Sequence, residues 1–112
     1  MGGLISHYAV YAYPEVFGRA GIFSPSYWYA EEAVKYTATR PVPDDTRLYL
    51  IVGSKEGDDM VSDLGRMKET IAATGHPNDN LYTQVHPGQE HNEAYWRGEL
   101  GPALRWLFTA ER

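Results

Sequence analysis

The chain of 112 residues has no cysteine, so disulfide bonds and thiolate metal sites are excluded. It also has no cluster of positive charge. Ten lysine and arginine residues are scattered among fifteen aspartate and glutamate residues, and the formal net charge is −5. Because nucleic acids and anionic membrane surfaces are bound through basic patches, we expect neither as a partner.

No apolar stretch approaches the roughly 20 residues that a membrane-spanning helix requires. The composition, with 43% hydrophobic and 22% charged residues, is ordinary for a globular protein. A chain of this length is the size of one small domain, which buries roughly two thirds of the surface exposed by its unfolded form. We therefore expect residues 1–112 to form a single domain. None of these features identifies a cellular compartment.

Three short apolar runs predict strands. Arg47–Gly53 (RLYLIVG) has five consecutive apolar residues without polar alternation, which is typical of a strand covered on both faces in a parallel sheet. Residues 18–24 (GRAGIFS) and Leu81–His86 (LYTQVH) are the other two runs. Arg47–Gly53 is the clearest of the three strands.

Four segments have helical spacing of their apolar residues: 3–13, 28–38, about 58–74 and 92–112. In the first, the residues expected on one apolar face are Leu4, Tyr8, Tyr11 and Ala12. Pro14 and Gly75 end the first and third helices, and Gly101-Pro102 predicts a kink or two abutting helices in the last. The order α-β-α-β-α-β-α, with short connections, indicates an α/β fold with about three parallel strands flanked by helices.

Ligands of open parallel sheets bind beyond the carboxyl ends of the strands, so the residues that follow each strand are the candidates for chemistry. The first strand leads into Tyr27 and Trp28, the second into Glu56, and the third into His91. An aromatic pair, a carboxylate and a histidine are thus predicted on one side of the sheet. This combination suits nucleophilic catalysis, in which a carboxylate orients a histidine base.

Each of these residues also has a purely structural interpretation. An acid between a strand and a helix, such as Glu56, is often only a cap or a first-turn charge, although Asp58 or Asp59 suits the cap better because its side chain is shorter. His91 lies in a polar loop, where a histidine is usually solvated. The aromatic pair is equally suited to fill the core beneath the next helix.

A metal site is a further alternative. Four potential ligands fall within eight residues: His86, Glu90, His91 and Glu93. Their spacing matches no standard motif such as H-E-x-x-H, so we expect no metal and no cofactor. The remaining histidines, His7 and His76, are expected on a helix surface and in a turn.

The sequence has no G-x-S-x-G motif, which in α/β hydrolases presents the nucleophilic serine on a sharp turn between a strand and a helix. The serines considered as candidate nucleophiles stand in other contexts: Ser6, Ser24, Ser26 and Ser54. Half of such a turn is nevertheless present, because Met1-Gly2-Gly3 leads directly into a predicted helix.

Four segments, in order, resemble the C-terminal part of the esterase D and enterochelin-esterase-like branch of the α/β hydrolases: GIFSPSYW, LIVGSKEGDDM, GQEHNEAYWR and PALRWLF. The most specific match is GQEHNE together with Trp96. The opening MGG is similar to the second half of the G-x-S-M-G-G turn of that family, with the serine one position before Met1.

The resemblance implies a serine ester hydrolase that acts on a small-molecule ester through an acyl-enzyme. His91 matches the catalytic base and Glu56 the triad acid, with Asp58 as the reserve candidate for the acid. The backbone N–H of Met1 matches one oxyanion-hole donor. The aromatic pair, Tyr27 and Trp28, resembles the residues that flank the substrate pocket.

On this resemblance, residues 1–112 are expected to be a partial α/β-hydrolase domain that begins just after the nucleophile and is inactive alone. The alternative is a non-catalytic α/β module that binds a partner through its sheet edge and apolar face. Self-association through an exposed sheet edge is expected under either interpretation, because unpaired strands are templates for further pairing.

Overall fold

A parallel sheet with helices on both faces forms the fold. The computed structural model describes residues 2–25 and 32–109. Within these ranges the strands are β1 (Arg19–Phe23), β2 (Arg47–Gly53) and β3 (Leu81–His86). The α-helices of the same ranges are α1 (Gly2–Ala12), α2 (Glu32–Thr39), α3 (Asp58–Ala73) and α4 (Glu93–Phe108). Two single-turn 3₁₀ helices, Ser54–Glu56 and Asn78–Asn80, lie before α3 and β3.

The strands are arranged in the order β1-β2-β3, and both neighbouring pairs are parallel. The register pairs Phe23 with Ile51 and Gly53 with His86. The predicted three-stranded parallel sheet is therefore confirmed, and the carboxyl ends of its strands lie along one edge.

β2 is the central strand, and every residue after its first is buried. Successive side chains of a strand point to opposite faces. Accordingly, Leu48, Leu50 and Val52 pack in one core cluster with α1 and α3, whereas Tyr49 and Ile51 pack with α4. Burial on both faces explains the uninterrupted apolar run that predicted this strand.

The bounds of β2 and β3 agree with the prediction, whereas β1 is one residue shorter at each end. Ser24 has a φ of +48°, which lies outside the extended region and ends the strand. Its N–H still donates to the carbonyl of Ile51 at 2.8 Å. Residues 28–31, where the second helix was predicted to begin, lie outside the described ranges.

Of the two alternatives predicted at Gly101-Pro102, a kink or two abutting helices, the second is wrong, because α4 continues through Pro102. Proline in a helix removes one hydrogen bond and costs about 3 kcal/mol. Burial of Ala103 and Leu107 against the sheet opposes that cost. None of the helices in the described ranges is long and apolar enough to cross a membrane.

The predicted apolar face of α1 is also wrong in part. Tyr8 is 54% exposed. The residues of α1 that are buried are Gly3, His7, Val10 and Tyr11. Because apolar residues occur all around this helix, their spacing alone selected the wrong face.

His7 and His76 are buried, which corrects the expected surface position of His7. The Nε2 atom of His7 lies 2.7 Å from Thr37 Oγ1, and Nε2 of His76 lies 2.9 Å from the carbonyl of Thr46. Burial lowers the pKa of His7 from 6.5 to about 4. Both histidines therefore join neighbouring elements in the interior.

Candidate active site

The candidate site begins where β2 ends. After Gly53 the chain forms the 3₁₀ turn Ser54–Glu56, and Glu56 folds back so that its Oε2 accepts the N–H of Gly53 at 2.6 Å. A glutamate at the third position of a helical turn commonly makes this contact with the residue that precedes the turn. The side chain of Glu56 is 0% exposed. The local turn thus fixes a buried carboxylate at the carboxyl edge of the sheet.

The loop after β3 brings His91 to this carboxylate. His91 Nδ1 lies 2.7 Å from Glu56 Oε1, across 35 residues of sequence. Gly88, with a φ of +76°, turns the loop in a conformation that glycine adopts without strain. The two side chains therefore meet at the predicted edge.

Backbone contacts hold the two loops together. The N–H of Lys55 donates to the carbonyl of Gln89 at 2.9 Å, and the N–H of Gly88 donates to Ser54 Oγ at 2.8 Å. A Cβ atom at position 53 would lie 2.2 Å from the same Gln89 carbonyl oxygen. Glycine at Gly53 is therefore required for the close approach that places His91 beside Glu56.

The contact also determines which nitrogen of His91 carries the proton. A carboxylate only accepts hydrogen bonds, so Nδ1 donates and Nε2 of the neutral ring retains its lone pair. The side chain of His91 is 49% exposed, whereas that of its partner is fully buried. This arrangement supplies an accessible base whose positive form is stabilised by a fixed negative charge.

Two further side chains complete the site. Ser24 Oγ donates to Glu56 Oε2 at 2.7 Å and accepts the indole N–H of Trp96 at 2.9 Å. The ring of Trp96 meets the ring of His91 edge-on, with 4.8 Å between centroids. Among the described residues, the carboxylate of Glu56 thus accepts hydrogen bonds from Ser24, His91 and the backbone of Gly53.

A cleft of about 490 Å³ lies beside the pair. Its walls include His91, Trp96, Gly2 and Gly3, together with apolar side chains of α4. A Cβ atom at position 3 would lie 2.6 Å from the carbonyl oxygen of Phe23, so glycine there lets the start of α1 approach the end of β1. The amino end of α1 and the candidate base consequently share one cavity.

A second polar cluster lies behind the pair, against α4. His86 Nδ1 is 2.8 Å from the Tyr95 hydroxyl, and His86 Nε2 is 3.7 Å from Glu99 Oε1. Burial, followed by the negative charges of Glu56 and Glu99, raises the pKa of Tyr95. Burial, followed by Tyr82 and Glu99, raises the pKa of Tyr49 to about 12. These tyrosines are neutral at physiological pH and add no charge beside the carboxylate.

The structure brings Glu56 and His91 together and gives Asp58 another position. Asp58 is an exposed residue at the start of α3, and the N-cap of that helix is Gly57. The expectation that Asp58 or Asp59 caps the helix is therefore wrong. Met1, Tyr27 and Trp28, predicted as an oxyanion donor and as pocket residues, lie outside the described residues.

The potential metal ligands are divided between the two clusters, since His86 contacts Tyr95 and His91 contacts Glu56. In the described part of the chain, no three histidine, aspartate or glutamate side chains are placed to hold a metal ion.

Ser24 and Trp96 were not predicted as site residues. Ser24 leaves β1 at the same sheet edge as Glu56, and Trp96 lies five residues after His91 in the most specific of the resembling segments. The direction of β1 was a signal for Ser24, and the resembling segment was a signal for Trp96. Neither signal specifies the hydrogen bond between them.

Comparison with known proteins places these residues in a family. A family model described as "Putative esterase" matches residues 1–107. The chain belongs to this esterase family. Membership of the esterase family supports a hydrolase character, in agreement with the α/β fold and the histidine–carboxylate pair.

The chain is similar to the uncharacterized protein YbbA of Bacillus subtilis strain 168, with 29% identity over 119 residues. The match covers 100% of the chain and 48% of YbbA, so the chain spans about half the length of this curated relative. No solved structure matches the chain.

Proposed function

We propose that this chain carries the acid and the base of a serine esterase of the α/β-hydrolase type. The observation that carries the proposal is the 2.7 Å contact between Glu56 and His91 at the carboxyl edge of the sheet, beside an open cleft. Family membership supports the reaction class. The resemblance to the esterase D and enterochelin-esterase-like branch favours a carboxylic ester or a siderophore ester as substrate.

His91 serves as the general base in this proposal. Its Nε2 removes the proton from a serine hydroxyl as the serine oxygen attacks the ester carbonyl, and then gives that proton to the departing alcohol. Glu56 stabilises the imidazolium that forms between the two steps. Water attacks the resulting acyl-enzyme by the same route and releases the acid.

The nucleophile is proposed to precede Met1 directly. This position rests on the resemblance of MGG to the G-x-S-M-G-G turn, and Gly2 and Gly3 of that segment line the same cleft as His91. The match to half of YbbA agrees with a longer enzyme of which residues 1–112 are one part. By resemblance, the N–H of Met1 contributes to the oxyanion hole, and Tyr27 and Trp28 flank the substrate.

The test compares hydrolysis of a small aryl ester by three proteins: the chain alone, a version extended upstream through the proposed serine, and that extended version with the serine changed to alanine. We expect turnover only in the second, because removal of the nucleophile leaves weak background catalysis. Glu93→Gln in the extended version is the matched control for Glu56→Gln, and it should retain turnover. Glu93 is an exposed acid, paired with Arg97 at 3.4 Å. Equal turnover by all three proteins would contradict the proposal, and no turnover by any would favour a non-catalytic module.

A further inference from the structure

We propose that Ser24 and Trp96 are positioning residues, which act on His91 through Glu56 by a hydrogen-bond chain of fixed direction. This inference rests on the proposed function, because it assigns a role in tuning the same base. Its observable consequence is that the charge of Glu56 is shared between His91 and Ser24.

The direction of the chain follows from the chemistry of its members. An indole N–H only donates, so Ser24 Oγ accepts from Trp96. The single hydroxyl hydrogen of Ser24 is then directed to Glu56 Oε2, which only accepts. Each bond therefore polarises the next, and successive hydrogen bonds of this kind strengthen one another.

The backbone of Ser24 is arranged for this contact. Its φ of +48° is a conformation that non-glycine residues adopt rarely and at an energetic cost. Ser24 is 1% exposed, so its hydroxyl must have partners inside the protein. Both features are explained if the serine is held there to place Oγ between Trp96 and Glu56.

The two oxygens of the Glu56 carboxylate accept hydrogen bonds from different partners. Oε2 receives Ser24 and the N–H of Gly53, whereas Oε1 receives His91. Donation from Ser24 draws negative charge towards Oε2. Less charge then remains to stabilise the protonated ring of His91. Loss of the Ser24 donor is therefore expected to stabilise the protonated form of His91, while the Gly53 N–H keeps the carboxylate in place.

Other ionisable groups surround the pair and must stay constant in a test. Tyr95 of α4 faces Glu56, with His86 and Glu99 behind it. Lys55 and Glu90 are the exposed charged neighbours of the pair along the chain. Changes at Ser24 and Trp96 leave the charge of all five groups unaltered.

Three substitutions separate tuning from a purely structural role. Ser24→Gly and Ser24→Ala both remove the hydroxyl, but glycine accepts a positive φ whereas alanine keeps the strain. Trp96→Phe removes the indole N–H and keeps an aromatic ring beside His91. If Ser24 acts only in folding, Ser24→Gly and Ser24→Ala differ in stability and neither changes the protonation of His91.

The experiment uses the version extended upstream through the proposed serine, and it has two readouts. The first is the acid limb of the pH profile of kcat/KM for a small aryl ester, and the second is the protonation of the His91 ring followed by NMR. We expect both midpoints to move to higher pH by about half a unit in Ser24→Gly and Ser24→Ala, and less in Trp96→Phe.

Midpoints that stay at the wild-type position in Ser24→Gly, or that move to lower pH, would overturn the inference. The NMR readout needs no turnover, which separates the two proposals. A shifted NMR midpoint in a protein without esterase activity supports the hydrogen-bond chain and contradicts the proposed function. Esterase activity with an unshifted profile in Ser24→Gly supports the proposed function and contradicts the hydrogen-bond chain.

Discussion

The surroundings of His91 and of His7 differ, although each ring makes a 2.7 Å hydrogen bond to a side chain distant in sequence. His91 lies at the sheet edge, half exposed, against a carboxylate. His7 lies between α1 and α2, 2% exposed, against the hydroxyl of Thr37. The partner's charge and the access of water, rather than the hydrogen bond itself, distinguish a candidate base from a structural histidine.

The hydrogen-bond directions differ as well. Thr37 donates its hydroxyl hydrogen to the carbonyl of Ala33, so His7 donates to Thr37 from Nε2. The ring also stacks on Tyr11, with 4.8 Å between centroids. His7 therefore joins two helices as a neutral ring, whereas His91 presents Nε2 as an acceptor.

The largest expected effect is on catalysis. In the version extended upstream through the proposed serine, His91→Ala or Glu56→Gln should lower kcat/KM for a small aryl ester by about 10³- to 10⁴-fold, because the proton acceptor or its stabilising charge is lost. In Glu56→Gln the NH2 group of the new amide also faces hydrogen-bond donors that the carboxylate accepted, so at least one of those hydrogen bonds is lost. Steady-state kinetics measure the loss.

His7→Gln is the matched control for this comparison. The glutamine amide can still donate to Thr37, and His7 is remote from the proposed chemistry. We expect kcat/KM to stay within about twofold of wild type while the protein becomes less stable. A large loss of kcat/KM in His7→Gln, or none in His91→Ala, would reverse the roles assigned to the two histidines.

The next effect is the pH dependence of stability that His7 confers. Its pKa is about 4 in the folded protein and 6.5 in the unfolded chain, so the unfolded chain binds the extra proton between these values. The free energy of unfolding should therefore fall as the pH drops from 6.5 to 4, by about 3 kcal/mol in total from this group. Above pH 6.5 the contribution is fully present.

Denaturant unfolding of wild type and His7→Gln at several pH values measures this contribution. The carboxylates titrate in both proteins, so only the difference between the two curves reports His7. We expect that difference to shrink as the pH falls. Parallel curves from pH 7.5 to pH 4 would contradict the assignment of His7 as a buried neutral ring.

The smallest of these effects concerns the contact between the two loops that hold His91. Gly53→Ala would place a methyl group 2.2 Å from the Gln89 carbonyl oxygen, and we expect about 2 kcal/mol of destabilisation together with reduced kcat/KM. Gly21→Ala is the matched control, since its Cβ meets only side-chain atoms of Leu107 and Phe23 at 3.6 Å. Thermal unfolding that ranks the two variants in the opposite order would contradict this explanation.

The sheet and the position of the candidate pair were predictable from local patterns. Arg47–Gly53 is apolar without alternation because both of its faces are covered by helices. Parallel strands end at one edge, so the acid after β2 and the histidine after β3 were expected together. Topology predicted that an acid and a histidine share this edge, whereas the choice of Glu56 over Asp58 came from the family resemblance.

The remaining features depend on packing that no local pattern contains. Apolar residues occur on all sides of α1, so their spacing did not show that His7 is buried and Tyr8 is exposed. Gly101-Pro102 predicted a kink or two abutting helices, but α4 is one continuous helix, and the turn after Pro102 is buried against the sheet. The Ser24–Trp96 bond joins positions 72 residues apart and required the assembled fold.

The central claim is that Glu56 orients His91 with its proton on Nδ1 and its lone pair on Nε2. The ¹⁵N chemical shifts of the His91 ring, measured at a pH where the ring is neutral, test it directly. We predict a protonated Nδ1 and an unprotonated Nε2 in wild type, and loss of this preference in Glu56→Gln. A proton on Nε2 in wild type, unchanged in Glu56→Gln, would contradict the account.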